Sequence, residues 1–263
     1  VLSIALGIGA NSAIFSLMHA ALWKPLPVQK PGELYHLVRS DGKQSDWSYS
    51  WKLFEQLREA LGPHAAVFAR GSIGPRSLAI RGGGAERVMG ESVSSEYFTA
   101  LGLSASVGRL FEPGDGPREE SLLVLSHAYW ARRFGSDPSI VGSVVQYEEK
   151  PFRIIGVVAG GFRGVDAGST ADVWVPVRVV DKGIAGDGVH SSWLSLLART
   201  HDARAAQVVA EARFQRHVTE DLMPGENPMG RFAGLLKLQH IHLRPAAAGL
   251  AIVGRRYEDA LFV

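Results

Sequence analysis

The chain contains no cysteine among its 263 residues. That absence excludes disulfide bridges, a thiolate nucleophile and cysteine-ligated zinc, and it fits a compartment where free thiols are a liability. Charge of one sign is lacking as well. Lys and Arg number 28 against 26 Asp and Glu, and the two signs are interspersed. Without a basic stripe or a lysine-rich tract, no nucleic-acid partner is expected. No GxxxxGK[ST] phosphate loop occurs, and Gly7-Ile-Gly9 is followed by Ser12 where a dinucleotide loop needs its third glycine. Low-complexity linkers are absent too, because the 30 glycines punctuate short elements instead of clustering. At this length the chain holds one large domain or two small ones, with enough material to bury a core.

What stands out is the opening run, VLSIALGIGANSAIFSLMHAALW, residues 1–23, in which His19 is the one titratable side chain. A helix of that length reaches roughly 34 Å, enough to cross a hydrocarbon layer of about 30 Å. Gly7, Gly9 and Ala13 offer small residues for close helix approach in lipid, and Trp23-Lys24 resembles an interfacial anchor before Pro25 and Pro27 stop the helix. A secretory signal would begin with basic residues, which this run lacks. A buried soluble helix is the competing reading, favoured by Asn11, Ser12, Ser16 and His19. With no initiator methionine, the chain is expected to be a piece of a longer protein.

Beyond the prolines the pattern alternates between strands and helices. Leu34–Val38 reads as a strand, and SYSWKLFEQLREAL (48–61) as a helix with Leu53, Phe54, Leu57 and Leu61 at helical spacing. Ser48 or Ser50 is placed to cap that helix, and Gly62-Pro63 ends it. Val67–Ala69 reads as a strand, and Leu78–Arg81 with Arg87–Val93 as a hairpin around Gly82-Gly83-Gly84. A short helix over 95–101 is expected to end at Gly102. Leu122–Leu125 is a compact strand, Ser126 caps the helix HAYWARRF, and Gly135 stops it. Val141–Tyr147 and Phe152–Val158 form a second hairpin, and Ala171–Pro176 reads as an edge-like strand closed by proline. Polar residues 181–188 look like a crossing between lobes. After a strand over 193–198 comes the longest soluble helix, 203–222, with Ala205, Val208, Val209, Ala212, Val218 and Leu222 along one side. A late strand covers 237–243, and Arg255-Arg256-Tyr257 precedes a last apolar run. Strand–helix–strand units at both ends, with a hairpin-rich block between, make an α+β body of two lobes, one inserted in the other.

Several residue groups carry side chains capable of chemistry. His240-Ile-His242 puts two imidazoles on one strand face, where a metal would need a third ligand; two half-exposed strand histidines is the plainer reading. Ser126-His127 reads as an N-cap rather than a nucleophile, because the GxSxG context is missing. Asp115, Glu119 and Glu120 form an acidic loop cluster read as solvated rather than as paired catalytic carboxylates. Arg132-Arg133 reads as a solvated face, and Trp130 and Phe134 as core anchors. Arg204, Glu211, Arg213, Arg216, His217 and Glu220 give the long helix a polar outer face, with a partner surface as the alternative. No catalytic, cofactor-binding or metal-ligating residue is assigned, and no cofactor is expected.

LSIALGIGANSAIFSLMHAALWKPLP resembles the first span and exit of the MacB-like/FtsX-type ABC transporter permeases. WSYSWKLFEQLRE resembles their first extracytoplasmic helix, and the likeness continues through VSSEYFTALGLSASVGRLFEPGD, LLVLSHAYWARRFGSDPSIVGSVVQYEEKPFRIIGVVAGGFRG and ADVWVPV, up to LRPAAAGL. The chain is most similar to bacterial permeases with duplicated core regions. The resemblance implies an α+β periplasmic core domain preceded by a transmembrane helix over 1–23. A porter-like lobe would comprise 24–104 and 181–250, an inserted Sabre-like lobe 105–180, and the approach to a truncated second span 251–263. It also implies a bacterial inner-membrane location with the domain outside the cytoplasm. The implied partners are a separate cytoplasmic ABC ATPase, a second permease copy in a dimer and a periplasmic adaptor. The expected function is to couple ATP hydrolysis to movement outside the membrane, in efflux or mechanotransmission, with no covalent chemistry. A membrane-anchored extracytoplasmic sensor or ligand-binding module without an ATPase is the alternative.

Overall fold

The structure, a computed structural model, describes residues 25–80, 83–115, 121–166, 170–180, 192–222 and 234–250. The expected span over 1–23, the crossing over 181–188 and the anchor Arg255-Arg256-Tyr257 lie outside the described residues. Among the described residues, no helix is long and apolar enough to cross a membrane.

Among the described residues, eleven strands form one connected sheet. They are β1 (Leu34–Ser40), β2 (Ser45–Asp46), β3 (Ala66–Ile80), β4 (Ala85–Val93), β5 (Ala105–Gly108), β6 (Leu122–Leu125), β7 (Val144–Tyr147), β8 (Lys150–Val158), β9 (Val173–Pro176), β10 (Ser195–Arg199) and β11 (His240–Pro245). The helices are α1 (Trp51–Leu61), α2 (Tyr97–Leu101), α3 (His127–Phe134), α4 (Val177–Val180) and α5 (Ala203–His217), and α5 runs on into a π-helical turn, Val218–Leu222.

One half of the sheet has the order β11-β1-β10-β3, all antiparallel. The chain visits it as β1–α1–β3 and later β10–α5–β11, so each helix joins two parallel strands with an antiparallel strand between them. This is the split β-α-β, ferredoxin-like arrangement, with the connection from β3 to β10 enlarged to hold more than a hundred residues. Both helices cover the same face. Leu53, Phe54, Leu57 and Leu61 of α1 and Ala206, Ala210 and Phe214 of α5 close over Leu37, Val67, Ala69, Leu196, Ala198, Ile241 and Leu243. Ser50 caps α1, its hydroxyl accepting from the Leu53 N–H at 3.3 Å.

The enlarged connection closes on itself. β3 pairs with β4, β4 with β9, β9 with β6, β6 with β8, β8 with β7, and β7 with the outer end of β3. The six strands therefore form a small barrel. Its inward faces carry Leu78, Val88, Leu123, Leu125, Val145, Tyr147, Phe152, Ile154, Val157, Val173 and Val175, and Tyr129 and Trp130 of α3 join the same cluster. Closure removes free strand edges and lets a ring of short strands bury a core. The outward faces of β6, β8 and β9 are buried too, under a third cluster containing Phe98, Phe111, Phe162 and Trp174. Burial on both faces explains why LLVL and VWV read as continuous apolar runs and do not alternate.

Three expectations are corrected. β9 is not an edge strand, because it lies between β4 and β6; Pro176 is tolerated at its last position, where the ladder ends. Val67–Ala69 and Leu78–Ile80 are not separate strands but parts of β3, bent at an irregularity between Arg70 and Ile73, and Arg81 lies outside the described residues. Of the expected stripe on the long helix, Val218 and Leu222 are buried, but Ala205 and Val209 are only half-buried and Val208 and Ala212 are exposed, Val208 at 66%; the buried stripe instead runs through Ala206, Ala210, Phe214, His217, Val218 and Leu222. The small alanines and one aromatic fit the tight gap to α1, whereas Val208 faces outward and Val209 lies half-buried at the border of the cluster.

Candidate functional site

Arg70 sits at the fork of β3. Before it the strand pairs with β10, ending at Ser195 opposite Arg70; beyond it β3 belongs to the barrel. The bend is possible because residue 71 is glycine, where a Cβ would stand 2.3 Å from Ser92 Oγ and 2.6 Å from the Trp193 ring. Arg70 is itself buried, at 5% exposure, with Glu91 of β4 at 1% and Asp166 at 5%. Arg70 Nε donates to Glu91 Oε1 at 2.6 Å, and Arg70 Nη2 pairs with Asp166 Oδ2 at 2.7 Å. The second oxygen of Glu91 accepts from Trp174 Nε1 at 2.7 Å. Tyr97 Oη lies 3.5 Å away on the same side.

This is a buried, three-charge junction, where one guanidinium fork spans two carboxylates. Burial works against the Arg70 charge, but Glu91 and Asp166 outweigh it and hold the guanidinium above its ordinary value. Burial pushes Glu91 up, opposed by Arg70 and the Trp174 N–H. Burial also raises Tyr97 well above the usual phenol range, so it stays neutral. Every charged group is spoken for by another protein group. The arrangement binds elements together and presents no nucleophile with a base.

A second polar cluster bolts α5 to α1. Asp221 accepts from Lys52 Nζ at 2.7 Å and from Gln56 Nε2 at 2.8 Å. His217 Nδ1 is 2.9 Å from Asp221 Oδ2 and 2.8 Å from Gln56 Oε1, both acceptors, so Nδ1 carries the proton. Burial works to raise Asp221, but the bonds from Gln56, Lys52 and His217 outweigh it and bring the carboxyl to about 2. Burial lowers His217, against the pull of Asp221. A third feature, Arg39, pairs with Asp46, donates to the Ser48 carbonyl at 2.6 Å and lies over the rings of Tyr49 and Phe214.

The residues weighed from sequence are dispersed. His240 and His242 lie exposed on the edge strand β11, and His240 Nδ1 donates to Glu211 Oε1 at 2.8 Å. Among the described residues, no group of three or more His, Asp or Glu is placed to hold a metal. Ser126 accepts from the Tyr129 N–H at 3.1 Å as an N-cap, while the His127 ring packs edge-on to Trp130. Asp115 pairs with Arg109 at 2.7 Å; Glu119 and Glu120 lie outside the described residues. Arg132 pairs with Asp172 and Arg133 with Glu86. Trp130 is buried, and Phe134 packs against the same cluster. On α5, Glu211 also accepts from the Ile241 N–H at 2.7 Å, and Arg216 lies 3.8 Å from Glu220. His217 departs from the expected outer face and is buried between the helices. Arg70, Glu91, Asp166 and Trp174 form this junction without a motif or spacing in the sequence that marks them as a group. Glu91 carries a faint signal, an acid two residues before the apolar Val93 on the same face of a strand pattern.

The sequence model of one family, described as the MacB-like periplasmic core domain, matches residues 1–213. A curated relative, the macrolide export ATP-binding/permease protein MacB of Neisseria gonorrhoeae, is 27% identical over 131 residues, covering 49% of this chain and 20% of the relative. The chain thus spans about a fifth of the length of the curated relatives it matches. The solved periplasmic region of MacB from Actinobacillus actinomycetemcomitans has a TM-score of 0.55 at 17% identity, covering 82% of this chain and 90% of that one. The extracellular domain of the noncanonic ABC-type transporter YknZ from Gram-positive bacteria has a TM-score of 0.52 at 16% identity, covering 69% and 91%. Both share the mixed α+β fold. With the family match running from the first residue through β1–β10 and most of α5, the chain belongs to the MacB-like periplasmic core domain family.

Proposed function

We propose that this chain is the extracytoplasmic core of an ABC-type export permease, carrying the motion of a separate cytoplasmic ATPase to the outer side of the membrane. The β11-β1-β10-β3 sheet with α1 and α5 would be the porter-like lobe, and the barrel with its covering loops the inserted Sabre-like lobe. Residues 1–23 would be the first span, and the segment from 251 would approach the second.

The observation that carries this reading is the adjacency of the body's two ends. The Leu26 N–H donates to the Ala247 carbonyl at 2.8 Å. A body suspended from two neighbouring membrane helices needs its ends side by side, and this one has them. The lobes share β3, which pairs with β10 in one and with β4 and β7 in the other, and this supports a stiff body that swings as a lever. No step of this function requires bond-breaking in the domain.

The test is purification of the full-length protein from membranes. The reading expects an ABC ATPase to accompany it and the detergent-solubilised complex to turn over ATP. A protein that purifies without an ATPase under conditions preserving known membrane complexes would contradict it and favour a membrane-anchored sensor.

A further inference from the structure

The charged junction does not stand apart from the body's ends. Asp166, its third member, forms a parallel bridge with Leu250, and the Leu250 N–H donates to the Val165 carbonyl at 2.6 Å. Leu250, Ala246, Val165 and Leu26 pack in one apolar cluster with Trp174. Gly249 lies between them with φ +90°; a Cβ there would meet the Val165 carbonyl oxygen at 2.4 Å and Leu26 Cδ2 at 3.3 Å. No other residue type takes that conformation in that space without displacing the strand. Residues 165–166 therefore hold the chain's last described residues, those residues hold Leu26, and Asp166 is held in turn by Arg70 at the fork.

We propose that Arg70, Glu91 and Asp166 form a latch that locks the clasp between the two ends of the body to the point where sheet and barrel diverge. Three observations meet in it. Arg70 occupies the last position of β3 paired with β10, so its backbone belongs to the sheet. Glu91 lies opposite Trp174 in the parallel pairing of β4 with β9, so its backbone belongs to the barrel. Asp166 belongs to the segment that grips Leu250. One guanidinium, buried and bonded through two separate nitrogens, fixes all three. An apolar contact resists separation only weakly until it opens, whereas a fork bonded to two carboxylates fixes direction as well as distance. Displacement of either end of the body therefore reaches the fork directly, without passing through the helices that cover the sheet. Service of this latch as a force path rests on the permease reading; its existence does not.

Hydrogen exchange in the full chain tests the latch. In Asp166→Asn, which keeps the side-chain shape, the Leu26 and Leu250 amides should exchange at least tenfold faster than in the parent. The β7–β8 hairpin, residues 144–158, should keep its protection. Arg70→Lys retains the charge but loses the fork, and it should accelerate the same two amides by a smaller factor, which keeps the test alive if the first variant folds poorly. Unchanged exchange at Leu26 and Leu250 in both variants overturns the latch, and so does acceleration spread evenly over the hairpin. Neither result depends on whether an ATPase accompanies the protein, so failure of the latch is distinguishable from failure of the permease reading.

Discussion

Two buried residues govern how individual side chains report on this body. Removing the guanidinium by Arg70→Met leaves two carboxylates facing each other without a counter-charge, a loss expected to cost about 3–5 kcal/mol in urea unfolding. Replacing all three members with apolar residues of similar volume should recover most of that loss, because the desolvation penalty disappears with the charges. A triple variant no more stable than Arg70→Met would show that packing, not charge, was lost. The His217–Asp221 pair makes stability depend on pH in one direction. Asp221 falls from an ordinary 3.8 to about 2 on folding. Its contribution is therefore full above about pH 4 and is lost as pH falls through 2. His217 is also held below its ordinary 6.5. The unfolded chain then takes up a proton that the folded chain refuses, so stability declines as pH falls below 6.5. Denaturation midpoints measured from pH 8 to pH 4 should show that decline, and His217→Gln should flatten it. A midpoint that rises towards pH 5 would contradict the assignment.

At the scale of elements, α5 and the barrel carry the sharpest tests. Phe214→Ala on the buried stripe of α5 should cost about 3–5 kcal/mol, while Val208→Glu on the outward face should stay within about 0.5 kcal/mol. The reverse order would restore the stripe expected from spacing alone. In the barrel, a Cβ on Gly90 would stand 2.1 Å from the Tyr147 hydroxyl, so Gly90→Ala should destabilise by about 1–3 kcal/mol. Adding Tyr147→Phe should return part of it, and a purely additive pair would exclude the clash. Much of the element list was legible from caps and breakers. Ser50, Ser126, Gly102 and Gly135 mark helix ends where the sequence placed them. The α5 face was not legible, because alanines and valines compete for the same stripe and only the gap to α1 decides between them. The position of β9 was hidden for a related reason. Pro176 reads as an edge signal, yet at the final ladder position its missing N–H costs nothing.

The described body joins a split β-α-β sheet to a barrel through the shared strand β3, with its two ends clasped together by the Leu26–Ala247 hydrogen bond. The order of hydrophobic blocks conveyed the α+β class. Barrel closure was not legible, because pairing of β7 with the outer end of β3 is a long-range contact that no local pattern encodes. The charged junction escaped for the same reason, since its three members are separated in sequence and each looks ordinary alone. The most direct measurement of the account is the side of the membrane on which the body lies. These 263 residues hold no thiol, and Val144 is 46% exposed, so Val144→Cys in a full-length background without other cysteines supplies one accessible label site. The account predicts that a membrane-impermeant maleimide labels this variant in intact cells whose outer barrier has been opened. Labelling that appears only after the cytoplasmic membrane is lysed would place the body inside and contradict it.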